Sequence, residues 1–425
     1  SVSTSTTGKL LIKATNTVSV NASLSLSTNG GPLILWADSD ANSIGAILLN
    51  QADSIATAGG ALTLAGGADD GSSAIEAGRT AGDGVPDGFA WGTSTLARVI
   101  ILGSIVTIST GGGNVFIAGH GTNATSTLGG AGGVYFYAGA SVDSGVGKIH
   151  IYGTTNATGP TASSAFDEGI ELQGVYVSDT TKYVKIISGS SASDAIVMVG
   201  DSSATTANTA VGIATLSWYN RSGGGPRNVI ANTSSGGVTL TGRAGNTTRA
   251  DLTDLSGDGL ELNGVAILSK SGSITINGDT GASNSGNNYG LTFNHTSYTS
   301  GGVTYGNASY IGAQAATTIN SVDMSTSTAN VTFNVDSMLI NAGTYATTIT
   351  TSGNVKVIPA VNAVGQQNFD RSVDFSGLTL GSSVGSVTFG YAGTSGANQT
   401  TTALTIPTMS VVGPIAAFGG TVTVA

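Results

Sequence analysis

One phrase recurs along this chain: a short run of strand-forming residues with glycine at each end. Residues 111–121 read GGGNVFIAGHG, and GKIHIYGTT, GGVTLTGRA and SGSITINGD repeat the form further on. Alternating side chains with a period of two are typical of β-strands. Glycine supplies the positive φ or the close backbone approach that tight corners need. The phrase therefore predicts many short strands joined by sharp turns.

The composition favours the same kind of fold. Glycine accounts for 65 of 425 residues, and only 9% of residues are charged, whereas charged residues make up about a quarter of an ordinary globular chain. Valine, isoleucine, threonine and serine dominate the rest, and glycine and β-branched residues form helices poorly. The chain is longer than one compact core usually holds. We therefore expect a folded all-β repeat protein that grows along one axis.

The spacing of the strand candidates indicates a β-solenoid. Val115, Val134 and Ile149 follow one another at about 15 to 20 residues, a spacing that predicts one turn of the coil between each. GIELQGVYVSDTTKYVKIISG from Gly169 and GLELNGVAILSKSGSITINGD from Gly259 align without a gap in their first halves, which predicts several turns between them. Long polar segments such as residues 66–94 are expected to be loop excursions, where binding would occur.

The sequence pattern changes after Ile311, where glycine becomes less frequent and the strand candidates follow one another more closely. We interpret residues 1–310 as a glycine-rich β-solenoid and residues 311–425 as its continuation with a second repeat subtype. A separate domain is the less favoured interpretation.

Charge and residue content argue against several classes of protein. The net charge is −10 and no basic stripe is visible, which argues against nucleic-acid binding. There is no cysteine, so disulfides and thiolate metal sites are absent. No apolar run approaches the length of a membrane span. The first residues have no signal-peptide pattern, so we expect such a peptide to have been removed or to lie outside this piece.

Metal binding has one set of candidates. Aspartates near glycines could supply several oxygens to Ca²⁺. None of their spacings matches an EF-hand, and turn aspartates that bind only water are the alternative. No other cofactor is expected. The candidate Ca²⁺ ligands are Asp83, Asp87, Asp251, Asp254 and Asp258. The three histidines, His120, His150 and His295, are far apart in sequence and are expected to face outward.

A polysaccharide-processing enzyme on the same fold would need carboxyl groups that converge on one face. Two segments are dense enough: FDEGIEL, with Asp167, Glu168 and Glu171, and QNFDRSVDF, with Asp370, Arg371 and Asp374. Solvated charges beside a corner are the favoured alternative.

Aromatic residues provide candidate binding positions. Tyr135 and Tyr137 alternate with Phe136, so an exposed tyrosine pair could stack on a sugar or a partner. Trp218 and Tyr219 stand beside two arginines. Aromatics that cap a stack of strands are the alternative in both places.

Asn-x-Ser/Thr sequons are numerous, and many are expected by chance in a chain this rich in these residues. The candidate glycosylation acceptors are Asn21, Asn123, Asn156, Asn220, Asn232, Asn246, Asn294, Asn307, Asn330 and Asn398.

Several phrases resemble a known family. GGALTLAGG, GGGNVFIAGHG, GIELQG and the closing LTLGSSVGSVTFGYAG and LTIPTMSVVGPIAAFGGTVTVA resemble filamentous haemagglutinin-type large exoproteins, which are β-helical surface adhesins of bacteria. The resemblance is strongest at about 60–280 and 373–425. It implies a secreted right-handed parallel β-helix. The Asn-Pro-Asn motif of the family's secretion domain is absent, so we expect an internal piece of stalk.

These observations together predict an extracellular or cell-surface β-solenoid that acts as an adhesin stalk or structural fibre segment and is not an enzyme. Its expected partners are cell-surface glycans or proteins, or neighbouring copies of itself. A polysaccharide-degrading enzyme and a self-assembling filament or surface-layer subunit are the alternatives. Because Ser1 and Ala425 lie in strand-rich phrases, we also expect both ends to be continued by further sequence or by stacked neighbours.

Overall fold

A computed structural model gives the fold of most of the chain. It describes residues 2–3, 7–71, 75–76, 79–93, 98–122, 131–156, 167–174, 183–205, 210–216, 228–245, 257–280, 288–293, 298–300, 303–305, 308–340, 346–360, 368–393 and 400–425. In these residues the backbone forms strands and turns and no helix, as the composition predicts.

The strands are short, and we number them in chain order. The first are Val2–Ser3 (β1), Leu10–Lys13 (β2), Val18–Val20 (β3), Ser25–Ser27 (β4), Leu33–Ala37 (β5), Ile47–Leu49 (β6), Ser54–Ala56 (β7), Leu62–Gly66 (β8), Ala90–Trp91 (β9), Arg98–Leu102 (β10), Thr107–Ser109 (β11), Val115–Gly121 (β12), Gly132–Phe136 (β13) and Ser141–Asp143 (β14). Next come Ile149–Thr155 (β15), Asp167–Gln173 (β16), Val184–Ser188 (β17), Ile196–Asp201 (β18), Ala210–Leu216 (β19), Asn228–Asn232 (β20), Val238–Arg243 (β21), Leu260–Leu262 (β22), Val265–Ser269 (β23), Ile274–Asp279 (β24), Leu291–Phe293 (β25), Tyr298–Ser300 (β26), Val303–Tyr305 (β27) and Ser309–Gly312 (β28). The last are Thr318–Ile319 (β29), Val322–Asp323 (β30), Val331–Val335 (β31), Met338–Ile340 (β32), Thr347–Thr350 (β33), Asn354–Pro359 (β34), Val373–Asp374 (β35), Leu378–Leu380 (β36), Ser386–Phe389 (β37), Ala403–Ile406 (β38), Ile415–Ala417 (β39) and Thr421–Val424 (β40).

Three long parallel sheets contain most of these strands. Sheet I has the order β2-β5-β8-β12-β15-β18-β21-β24-β31-β34-β37-β39, with β9 also paired to β12. Sheet II has the order β3-β6-β10-β13-β16-β19-β22-β25-β32, and sheet III the order β1-β4-β7-β11-β14-β17-β20-β23-β28-β33-β36. The chain visits the sheets in rotation, so each circuit adds one strand to each face. The predicted parallel β-helix is confirmed; its right-handedness stays a prediction.

The core is a set of stacked inward columns. In sheet I one column runs through Ile117, Ile151, Met198, Leu240 and Ile276, each paired with the next strand. All five side chains are fully buried and belong to one apolar cluster that extends from Val18 to Ile406. Each such side chain contributes about 1.5 to 3 kcal/mol by leaving water, so burial of these columns drives the coil together.

Stacked glycines at both ends of the sheet I strands explain the recurring phrase. A Cβ on Gly113, before β12, would overlap the carbonyl of Gly60 one turn earlier. At the other end Gly119, Gly153 and Gly200 are paired in one column, and a Cβ on Gly200 would overlap the carbonyl of Gly212. The corners therefore require glycine because successive backbones approach too closely for a side chain.

Buried hydroxyls line the corner that leads from sheet III into sheet I. Thr28, Thr57, Thr110 and Ser144 each donate to the carbonyl of a glycine three residues later. All four side chains are buried. These bonds satisfy polar groups that would otherwise be costly inside the coil.

One turn is longer than the sequence spacing predicts. Val115 pairs with Ile149, a step of 34 residues, whereas Val134 lies in sheet II between Ile100 and Ile170. The prediction of one turn per 15 to 20 residues is therefore wrong, because that spacing separates successive sheets within a turn. Turn length also varies: a turn takes 24 residues between β31 and β34 and 57 between β24 and β31, since loops lengthen without disturbing the stack.

Near the C-terminal end one face changes. Sheet II ends at β32, and a smaller sheet of order β35-β38-β40 follows, while sheets I and III pass position 311 without a break. The subdivision into residues 1–310 and 311–425 itself stays a prediction. No helix among the described residues has the length and apolarity of a bilayer-spanning segment.

Candidate functional site

The outer face of sheet III departs from the usual alternation. Ile187, Val229, Ala231, Ala266 and Leu268 point away from the main core, yet all are buried and form a second apolar cluster. Their strands read VKIIS, NVIAN and VAILS. Each contains two to four consecutive apolar residues, and such runs are typical of strands covered on both faces. We call these five residues the outer floor.

A loop excursion at residues 313–330 covers part of this floor. It carries the antiparallel hairpin β29–β30, whose Ile319 packs on the floor together with Met324. Asn320 Nδ2 donates to Asp143 Oδ2 at 2.7 Å, and Lys270 Nζ donates to the Asp323 carbonyl at 2.7 Å. The hairpin is thus fastened at both of its ends, and it reaches back over several turns of the coil.

A groove of about 290 Å³ remains beside the hairpin. Its walls and floor are formed by Tyr183, Lys185, Ile187, Val229, Gln314, Thr317, Thr318, Ile319 and Asn320. We call it the hairpin groove. Its floor is apolar, and hydroxyl, amide, phenol and ammonium groups surround the floor, a combination typical of small-ligand sites.

Lys185 is the cation of the hairpin groove. Its Nζ lies 4.7 Å from the centre of the Tyr183 ring, and both side chains are half-buried. Lys185 forms no ion pair with any residue the structure describes. No motif in the sequence marks this groove. The consecutive apolar residues of β17, β20 and β23 are the sequence signal that could have indicated a covered outer face.

Acidic residues and tyrosines line the outer face of sheet II. Tyr135 and Glu171 are paired on neighbouring strands, Arg98 Nη2 lies 3.2 Å from Glu171 Oε2, and the Arg98 guanidinium lies 3.9 Å from the centre of the Tyr135 ring. Glu168, from the same strand as Glu171, is also buried. We call Arg98, Tyr135, Glu168 and Glu171 the acidic ladder.

The prediction that Tyr135 is exposed is wrong. Val134 and Phe136 do enter the core, so Tyr135 points outward as the alternation predicts. However, only 1% of Tyr135 is exposed, because Arg98 stacks on its ring and the Tyr137 ring meets it edge-on at 4.4 Å. Tyr137 is half-buried. Tyr135 therefore serves packing and offers no open stacking surface.

Burial also changes the acidity of the ladder. Burial raises the pKa of Glu171 to about 7 although Arg98 opposes the change. Burial and the neighbouring Glu171 carboxyl raise the pKa of Glu168. In the same strand, burial raises the pKa of Asp167 to about 6. Glu168 and Glu171 are only 1% and 2% exposed, so a substrate cannot reach them in this conformation.

We expect the folded chain to be more stable at pH 5 than at pH 8. A carboxyl group whose pKa is higher in the folded than in the unfolded chain adds stability that is complete below its unfolded pKa, near 4. That stability is lost as the pH rises through the folded pKa values of about 6 and 7. The midpoint of thermal unfolding, followed by circular dichroism, should be higher at pH 5 by about 5 °C or more.

The variant Glu168→Gln tests whether the buried carboxyl groups cause this pH dependence. It should reduce the difference between pH 5 and pH 8, because the amide cannot ionise. A midpoint that falls from pH 8 to pH 5 would show that these carboxyl groups are not penalised by burial.

The described residues of a second excursion, 67–71, 75–76 and 79–91, lie against the outer face of sheet I. His150 Nδ1 lies 2.6 Å from Glu76 Oε2, and Tyr152 Oη donates to the same oxygen at 3.2 Å. The Arg79 guanidinium lies 3.3 Å from the centre of the Phe116 ring. Burial works to lower the pKa of His150, but its bonds to Glu76 and to the Asp194 carbonyl raise it overall. These contacts hold the excursion on the coil.

The candidate Ca²⁺ ligands do not converge in the part of the chain that is described. Asp83 Oδ1 accepts from Val85 N and Asp87 Oδ2 from Gly71 N, both at 2.8 Å, so these carboxylates hold their own loop. Asp258 is buried just before β22, and burial raises its pKa to about 7. No three acidic or histidine side chains form a metal-binding group in the described ranges. Asp251 and Asp254 lie outside them.

The remaining candidates are scattered. Among the sequons, Asn21 and Asn330 are exposed and Asn156 is half-buried. Asn232 is fully buried and its Nδ2 donates to the Ser190 carbonyl at 2.9 Å, so it is not accessible for glycosylation in the folded chain. The candidates outside the described residues are Asn123, Asn220, Asn246, Asn294, Asn307, Asn398, Trp218, Tyr219 and His295.

In the second acidic segment Asp370 and Asp374 do not share a strand. Asp374 is exposed and its Oδ1 accepts from Ser376 N at 2.8 Å. Asp370 precedes β35 and so does not share a strand with Asp374. Arg371 lies 4.7 Å from the centre of the Tyr289 ring.

Comparison of the chain with protein-family models, with curated proteins and with solved structures gives no match. The resemblance to filamentous haemagglutinin-type exoproteins therefore stays a prediction, and the fold and the outer-face sites rest on the geometry described above.

Proposed function

We propose that this chain is a segment of an extracellular adhesin stalk or fibre that contacts cells or matrix through its outer faces. The observation that carries this proposal is the stack itself. Sheets I and III run in parallel register through almost the whole described chain, over one continuous apolar core. Such a stack gives a stiff rod, because every turn is bonded to the turns before and after it.

The outer faces support a role in contact. The excursions at 67–91 and 313–330 contact outer faces of the coil, and the second forms the hairpin groove. Repeated weak contacts along a stiff rod add up to firm attachment. The enzyme alternative needs carboxyl groups that meet a substrate, and the most densely placed ones, Glu168 and Glu171, are buried.

Surface display and adhesion test this proposal. We expect an antibody raised against the folded chain to label intact cells of the source. Beads coated with the chain should bind epithelial cells or matrix several-fold better than albumin-coated beads, and soluble chain should compete with them. Electron micrographs of the chain should show rods, because the twelve successive strands of sheet I span about 55 Å at the usual strand spacing.

Two outcomes would contradict the proposal. Labelling only after lysis would place the protein inside the cell. Release of reducing sugar ends from a polysaccharide, without bead adhesion, would favour the enzyme.

A further inference from the structure

We propose that the hairpin groove binds a carboxylate-bearing pyranose, such as a uronic acid residue at the end of a glycan. This inference rests on the proposed adhesive function and names the ligand class of its contact site. Three features carry it: the size and apolar floor of the groove, the position of one cation, and the polar groups around the rim.

The apolar part of the hairpin groove suits one sugar ring. Ile187, Val229 and Ile319 form an apolar surface, and each is less than a tenth exposed. Pyranose rings present a face of C–H groups, which packs on apolar and aromatic surfaces. The volume of about 290 Å³ is at the small end of ligand pockets, so it holds one or two rings and no long chain segment.

Lys185 selects the charge of the ligand. Its ammonium group lies over the Tyr183 ring, and both residues line the groove. No described acidic side chain forms an ion pair with it. A charge-assisted bond between an ammonium and a carboxylate is about twice as strong as a neutral one. A ring that carries a carboxylate is therefore preferred over its neutral counterpart.

Other charged groups near the groove are already occupied. Asp143 accepts from Asn320 Nδ2 through one oxygen and from Gly145 N through the other. Lys270 binds the Asp323 carbonyl and Thr326. Hydrogen bonds from neutral N–H donors do not cancel the charge of a carboxylate, but among the residues that line the groove Lys185 is the charged one.

The rim supplies partners for sugar hydroxyls. Gln314, Thr317, Thr318 and Asn320 border the groove, and Thr318 and Asn320 are exposed to solvent. Amide and hydroxyl groups can both donate and accept, as ring hydroxyls require. The apolar floor and this polar rim together match a sugar better than a purely apolar ligand.

A matched pair of sugars tests the inference on the full chain. Methyl β-D-glucuronide and methyl β-D-glucoside differ at one position, where the first has a carboxylate and the second a hydroxymethyl group. We expect NMR titration to give a dissociation constant on the order of 1 mM for the glucuronide and roughly tenfold weaker binding of the glucoside.

Variants locate the site. Lys185→Gln should remove the roughly tenfold preference while the circular dichroism spectrum is unchanged, and Tyr183→Ala should weaken binding of both sugars. The control is Lys356→Gln, because Lys356 is exposed on sheet I, away from the groove; it should keep the preference. Equal binding of the two sugars, or a preference that survives Lys185→Gln, would overturn the inference.

The two proposals fail separately. If beads coated with the Lys185→Gln variant adhere as well as the parent and the parent shows no preference for the glucuronide, the groove assignment is wrong and the adhesive function stands. If intact cells are not labelled, the adhesive function is wrong whatever the groove binds.

Discussion

The substitution Ile276→Asp is expected to unfold the chain. Ile276 is fully buried in the inward column of sheet I, between Leu240 and Phe333 on the neighbouring strands. A carboxylate there would be surrounded by apolar side chains and would have no partner, which costs at least about 4 kcal/mol. Because each turn is bonded to its neighbours, the damage spreads to adjacent turns. Urea unfolding followed by circular dichroism measures the loss.

The matched control is the neighbouring residue. Thr275→Asp places the same carboxylate on the outer side of the same strand, where Thr275 is partly exposed, and its cost should be within about 0.5 kcal/mol. If both substitutions lowered the free energy of unfolding equally, the alternation of side chains along β24 would not indicate which of them are buried.

The second large effect concerns the stacked corner glycines. Gly200→Ala should cost about 3 kcal/mol, because the new Cβ would overlap the Gly212 carbonyl and press on Ile213. Neither contact is the flexible end of a long side chain, so the backbones on the two sides of this corner, in β18 and β19, must separate. The free energy of unfolding, measured in urea, should fall without a change in the β-type circular dichroism spectrum at low denaturant.

Gly381→Ala is the control for the corner. At Gly381 a Cβ would meet its nearest neighbours at 3.4 Å or more, which is ordinary contact, and the alanine should be neutral within about 1 kcal/mol. Similar losses for the two variants would show that glycine is needed for its flexibility everywhere and not for close approach at Gly200.

Residue patterns predict the parts of this protein that depend on neighbours in sequence. The phrase from Gly113 to Gly119 corresponds to one strand of sheet I with a crowded glycine at each end. The outward direction of Tyr135 follows from alternation. The acidic segment containing Glu168 and Glu171 is also visible in the sequence, and the structure adds Arg98 from an earlier turn as its partner.

Contacts between distant turns escape sequence patterns. Glu171 and Arg98 meet because strands pair across two steps of the coil, and turn lengths that vary with the loops hide this register. Burial of Tyr135 depends on the Arg98 and Tyr137 side chains that cover it, and alternation predicts direction only.

The sequence by itself determined that the chain is all-β, that its strands form a parallel coil and that glycines occupy the corners. Local sterics and the period of the apolar side chains govern a strand of five residues and its turns. Only the tertiary structure decided the hairpin groove, which joins Lys185 of β17 to Asn320 of a later excursion. The physical reason is that the excursion folds back along the coil to cover apolar residues of earlier turns, and no spacing within the chain specifies where it settles.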